Sequence, residues 1–445
     1  MAIGSPLSCG GELPGGTAGA AGHGTGGGGM GQAGGGAGQT GGASGFAGEQ
    51  AGGASGGAAG QNGGSSDGGA GQDGGAAGST GSAGAAGVAG GQVSVIEWSI
   101  PFADSEPFQI AAWRTSVFYV TVSAEQMLGR LDTENDTVTE WAVSDPATSP
   151  GDIQVRPSDG AVFFTSAVVG ELRQFDPESQ VLLKWPLPLD VPAGNTPGPW
   201  SIAFDASDRV IFSAYDASGP LIGRLDTVSG RLDVWTFQDG GPLRVSVAPD
   251  GTIICTTGLQ SYDVVRLDPT TGIFTTWALV DQPLWGSVVD GSGDLFFLQQ
   301  SSDFQGLVRF SPGTGRLTNW ATSDLFQSDS LDLLSGHVFF SSSSPTALEA
   351  LDPTVAGTDT VLSPMPETVT PRSSVVTPTM VTLSGQQASA QVTQRTAQRQ
   401  TTGAFSIWPL PDAPRMLATV PGAVYYTNDD VGAFIGRLVV GTLGN

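Results

Sequence analysis

The sequence predicts an all-β protein, a closed ring of repeated four-stranded sheets, on two observations. The first is a tryptophan period. Trp98, Trp141, Trp185, Trp235, Trp277, Trp320 and Trp408 are separated by 43, 44, 50, 42, 43 and 88 residues, the last interval reading as two periods with one marker lost near Met365. The second is the stretch Leu128-Gly129-Arg130-Leu131-Asp132, which returns as Ile222-Gly223-Arg224-Leu225-Asp226 and Val264-Val265-Arg266-Leu267-Asp268. Each time a tryptophan follows nine residues after the aspartate. A period of about 40–50 residues built from short strands belongs to the β-propeller. The expected fold is a propeller of seven to eight four-stranded blades.

Taken in order, residues 1–92 are almost wholly Gly, Ala, Ser, Thr and Gln, and hold more than half of the 68 glycines. So little apolar surface does not offset the entropy of ordering a chain, so a disordered tether is expected there, with the propeller over 93–445. The folded part opens on Val95-Ile96-Glu97-Trp98, which resembles the strand that ends each later repeat, such as Val138-Thr139-Glu140-Trp141. Every full repeat then has a strand introduced by proline (Pro107-Phe108-Gln109-Ile110) and a turn with Asp or Gly (Pro249-Asp250-Gly251). An aromatic strand follows (Val162-Phe163-Phe164-Thr165), then the Arg-Leu-Asp strand and the tryptophan strand, with turn chemistry between them. The last repeat, 415–438, lacks a fourth strand, and the opening strand at Trp98 is expected to supply it and close the ring. Residues 366–403 have lost the motif. As a blade they make eight, as an insertion seven, and the 347 residues that follow Trp98 favour eight.

The formal net charge is −25, of which −4 comes from Glu12, Glu49, Asp67 and Asp73 in the tail. So acidic a surface argues against nucleic acid and anionic membrane surfaces as partners. Cys255 lies in an apolar strand and reads as a small buried hydrophobe. Leu7-Ser8-Cys9-Gly10-Gly11 has the look of a bacterial lipoprotein processing site, with Cys9 as the lipidated residue ahead of a flexible spacer. Only eight residues precede Cys9, too few for the signal such a site needs. The expectation is an extracytoplasmic, bacterial, surface-displayed monomer whose only membrane contact is that possible anchor.

Residues that recur once per blade read as structural, because packing recurs with the blade and chemistry does not. The arginines 130, 224, 266 and 437 are expected to pair across sheets whose gaps the tryptophans fill. Function is sought where the repeats differ. The loops leading into first strands and out of second strands share one end of the ring and form the usual concave ligand face. Phe108, Asp152, Trp200, Tyr215, Arg244, Trp285 and Arg415 fall there and are the candidate ligand-binding residues, a set suited to a small molecule, a peptide or a glycan.

The pattern Glu-Trp-x-Ile/Leu-Pro, Pro-x-x-Ile, Asp-Gly, Phe-Phe-Thr and Ile-Gly-Arg-Leu over 95–440 is similar to the virginiamycin B (streptogramin B) lyases. That resemblance implies a seven-bladed propeller which linearises a cyclic depsipeptide by eliminating its ester, with Mg²⁺ bound. The family places His in the strand-leading position of late blades and Glu after the second strand. Here the former positions hold Phe108, Gly151, Trp200, Leu243 and Leu284, and the latter hold Val122, Ser166, Ala214, Thr257, Gln299, Ser342 and Asn428. The only histidines are His23, in the tail, and His337, expected at a turn. Abstracting a carbon-bound proton needs a base, and the leaving group needs an acid or metal. Asp216, Asp429 and Asp430 could offer a metal only their charge. The sequence therefore points to a non-catalytic binding propeller with no cofactor, and to a Mg²⁺-dependent lyase as the alternative.

Overall fold

The computed structural model describes residues 91–445 except 103–104, 122–125, 144–150, 191–197, 239, 259–261, 280–283, 285, 301–303, 323–329, 344–345, 413, 429–432 and 441–445. Cys9, His23, Trp285, Asp429 and Asp430 thus lie outside the described residues.

The described strands form seven antiparallel sheets, each of five strands. Blade 1 runs through 107–142, blade 2 through 153–186, blade 3 through 201–236, blade 4 through 242–278 and blade 5 through 287–321, each with four strands adjacent in chain order. Blade 6 takes three strands from 331–351 and its fourth from Phe405–Pro409. Blade 7 takes three from 414–439, and Gln92–Ser99 pairs with Phe434–Val439 as its fourth.

This corrects the expectation of an eighth blade. Residues 358–402 lie outside the blades and add a fifth strand to each, in reverse order around the ring. Thr358–Val361 pairs on blade 5, Met365–Thr368 on blade 4, Arg372–Val375 on blade 3 and Thr379–Thr382 on blade 2. Gly385–Ser389 pairs on blade 1, Gln391–Gln398 on blade 7 and Gln400–Thr402 on blade 6. The strand at Trp98 is accordingly not the outermost of its sheet. The interval of 88 between Trp320 and Trp408 is one blade plus this encircling belt.

Seven apolar clusters hold the ring, one between each pair of adjacent blades. Tyr119 and Tyr425 share the cluster between blades 1 and 7, which closes the circle. Second strands such as Ser116–Thr121 and Ile253–Thr257 are buried along their whole length because sheets cover both faces. A continuous apolar run, rather than an alternating one, follows. Trp141 meets Phe175 of the next blade at 4.8 Å, and Trp277 meets Phe310 at 5.1 Å, so the tryptophans do fill the gaps between sheets. The repeated arginines act within a blade rather than across it. Arg224 lies 5.0 Å from the Trp235 ring and pairs with Asp233, and Arg437 lies 5.3 Å from Trp98. The repeated aspartates cap the turn between third and fourth strands. Asp226 and Asp268 each accept an amide two residues on, from Val228 at 2.9 Å and Thr270 at 2.8 Å. The Ser229 hydroxyl on Asp226, and the Thr270 amide on Asp268, hold these carboxyls below their ordinary range.

The glycine of the motif is explained by one cross-strand row. Tyr119, Gly129 and Glu140 are register partners on three neighbouring strands, as are Tyr426, Gly436 and Glu97. The tyrosine ring lies across the glycine to reach the carboxylate: Tyr119 Oη donates to Glu140 Oε1 at 2.6 Å, and Tyr426 Oη to Glu97 at 2.9 Å. No side chain fits beneath those rings.

Candidate functional site: the central channel

The innermost strands leave an edge that no ladder satisfies, and side chains of neighbouring blades cover part of it. Ile202 N donates to Asp152 Oδ2 at 3.0 Å, Val245 N to Ser201 Oγ at 3.2 Å, Leu417 N to Ser330 Oγ at 3.0 Å and Thr419 N to Asp332 Oδ2 at 2.7 Å. Polar groups are thereby held around the axis at fixed positions. Together with apolar residues of all seven inner strands they line one channel of about 430 Å³.

Two polar clusters face this space. In one, Asp152 is buried, accepts Ser201 Oγ at 2.9 Å and lies 3.4 Å from the Arg244 guanidinium. Burial pushes its carboxyl up, and Arg244 and the hydrogen bonds draw it back only in part. In the other, Asp332 accepts its neighbour Leu333 N at 2.8 Å as well as Thr419 N. Burial pushes its carboxyl up to about 6, against those two amides. Among the described lining residues the charged groups are Asp152, Asp332 and Arg244, two carboxylates against one guanidinium.

The candidate residues separate into groups. The channel brings Asp152 and Arg244 together. Phe108 and Arg415 also meet, with the guanidinium 4.8 Å from the ring, but neither lines the channel. Tyr215 Oη donates to Gly240 O at 3.2 Å, and Trp200 precedes the inner strand of blade 3 with its amide on Ser213 O at 2.9 Å. Both are half-buried outside the lining. Asp216 is taken up by Ser218 and by Arg372 of the belt. His337 opens a second strand beside the turn, its Nδ1 3.2 Å from Ser335 O.

Sequence reasoning missed Gln109, Ser201, Ser330, Asp332 and Thr419. Asp332 had a signal, an acid inside the apolar strand Leu331-Asp332-Leu333-Leu334. The others are uncharged polar residues whose place follows only from the register of the inner strands.

Asp332 gives a pH prediction. Its folded pKa of about 6 lies above the ordinary 3.8, so the neutral form is favoured by folding. Its contribution to stability is full below pH 4 and is lost as pH rises through 6. Asp332→Asn is therefore expected to gain about 1–3 kcal/mol over wild type at pH 7.5, reduced by the amide's mismatch with one of the two N–H donors. At pH 4.5, still above the unfolded value, the gain falls to about a third of that. Guanidinium unfolding at the two pH values checks this.

No protein-family profile and no curated protein matches this chain. Solved structures that resemble it at low similarity include a Lactobacillus plantarum protein, at 13% identity over 65% of this chain and 99% of that one, TM-score 0.44. Others are a protein assigned as a 6-phosphogluconolactonase from Bacteroides uniformis (10% identity, 63% and 99% covered, TM-score 0.40) and the PQQ-bound aldose sugar dehydrogenase of Streptomyces coelicolor (12%, 80% and 99%, 0.38).

Proposed function

We propose that this protein is a non-catalytic binding propeller that takes a small polar ligand carrying a cationic group, on a peptide or an amino sugar, into the central channel. The observation that carries this is the charge of the lining. Carboxylates held in a partly desolvated channel without full compensation are costly, and a ligand ammonium or guanidinium placed between Asp152 and Asp332 offsets that cost. A channel of about 430 Å³ accepts one sugar ring or one side chain, within the size of ordinary ligand sites. Asp152 is committed to four partners, which suits an electrostatic anchor better than a proton acceptor. Display outside the cytoplasm on the long N-terminal segment, anchored through Cys9, belongs to the same proposal.

The test is calorimetric titration of the full chain with a lysine-rich peptide and with a chito-oligosaccharide in amino and N-acetylated forms. Binding of an amino form that disappears on acetylation, and in Asp332→Asn, supports the reading. Ring opening of a streptogramin B with Mg²⁺, lost in the same variant, would replace it with the lyase alternative. Asp332→Asn is thus expected to bind less while folding more stably, the trade-off common at functional sites.

A further inference from the structure

The belt begins and ends at one turn. In blade 4 the third and fourth strands are joined by Asp268-Pro269-Thr270-Thr271-Gly272, with Gly272 in the left-handed region at φ 70°. In blade 6 the same turn starts as Asp352-Pro353-Thr354 and finishes as Thr402-Gly403, with Gly403 at φ 62°. Asp352 N donates to Ala404 O at 3.0 Å, and Leu351 pairs with Phe405, so the hairpin is closed at the base of the inserted chain. Everything from 355 to 401 has been threaded into a five-residue turn.

The insertion is measured to the ring. Leu362, Val369, Val376, Leu383, Ala390 and Ala397 recur every seven residues, one at each of six of the seven gaps between blades. Each packs on a different inter-blade cluster. The first five donate their amides to Gly315, Gly272, Gly230, Gln180 and Asp136 at 2.7–2.8 Å. Those acceptors are the left-handed residues of the hairpin turns, with φ between 53° and 71°. At Gly272 and Gly230 a Cβ would stand 2.1 and 2.4 Å from the belt carbonyls of Val369 and Val376, so the contact is close. Over the closure seam the belt is longest. All eight residues of Gln92–Ser99 pair with Gln391–Gln398, and Arg395 reaches both Glu97 and Tyr426.

We propose that residues 355–401 are a clasp, dispensable for folding the seven blades, that locks the closed ring against opening. A propeller opens by parting two neighbouring blades. Because one covalent chain is paired to all seven, parting any adjacent pair except blades 5 and 6, where the belt begins and ends, strips a belt strand and unseats one of its apolar residues. Contacts of this kind form after the ring they encircle and raise the barrier to unfolding more than they speed folding. The insertion costs little by itself, since loop-closure entropy grows only with the logarithm of length.

Two variants test this, each followed by tryptophan fluorescence in guanidinium. The first is the deletion Δ355–401, which joins Thr354 to Thr402 and restores the sequence Asp-Pro-Thr-Thr-Gly. It is expected to keep the far-UV spectrum of the sheet and to unfold about tenfold faster or more. The second is the full chain with a sequence-specific protease site placed between Leu362 and Met365 and then cut. Its two halves stay associated, and its unfolding rate is expected between those of the deletion and the wild type. Failure of Δ355–401 to fold would overturn dispensability. A wild-type unfolding rate in the cut chain, or in a folded deletion, would overturn the lock.

Discussion

Gly129→Val is expected to be among the most damaging single substitutions in the propeller, costing about 3–5 kcal/mol in guanidinium unfolding. A Cβ at this position would lie 1.9 Å from Tyr119 Cζ. The ring is fully buried. Displacing it also breaks the hydrogen bond to Glu140, a carboxylate 1% exposed that is left with Ser105 Oγ at 2.8 Å as its other partner. Burial already pushes the Glu140 carboxyl up, and the Tyr119 hydroxyl opposes this. Tyr119→Phe isolates that second effect and is expected to cost about 1–2 kcal/mol. Gly313→Ala, where an added Cβ meets nothing within 4 Å, is the control and is expected to change stability by less than about 0.5 kcal/mol. Equal losses at Gly129 and Gly313 would mean that the row of tyrosine, glycine and glutamate does not organise the blade.

Trp98→Ala is expected to cost about 3–5 kcal/mol and to act on ring closure in particular. Trp98 is 1% exposed, lies in the cluster between blades 7 and 1, and donates its indole N–H to Asp136 Oδ1 of blade 1 at 2.7 Å. It therefore joins the N-terminal strand to the first blade as well as to the last. Trp185→Ala, buried to a similar degree between blades 2 and 3, supplies the comparison. The loss at Trp98 is expected to be larger, because an unpaired aspartate is left facing the cavity. A smaller loss at Trp98 would show that the belt alone carries the seam.

The blades were legible because a tryptophan that fills the gap between two sheets must recur once per sheet, and the Asp of the third strand caps the same turn each time. The belt was not, because its repeat is seven residues long and its apolar member is a single Val, Leu or Ala. Read against a period of about 43, Leu362, Val369 and Val376 look like the remains of a worn blade. The two halves of its turn, Asp352-Pro353-Thr354 and Thr402-Gly403, were visible in the sequence but 47 residues apart. In the channel, Asp152 and Arg244 were found as charged residues at variable positions. Asp332, two places deeper along its strand, is not legible, because the repeats mark where inner strands begin and not how far along them a side chain faces the axis. Phe108, Arg415, Trp200 and Tyr215 read as a ligand set by residue type alone, and in the fold they lie outside the channel lining.

The most direct measurement is a calorimetric titration of the full chain with the lysine-rich peptide from pH 5 to pH 8. If the channel carboxylates hold the cation, affinity is high at pH 8 and falls as pH drops through about 6, where Asp332 takes up a proton. The peptide ammonium keeps its charge over this range, and Asp332→Asn flattens the profile. Binding that is independent of pH, or unchanged in Asp332→Asn, would contradict a ligand site in this channel.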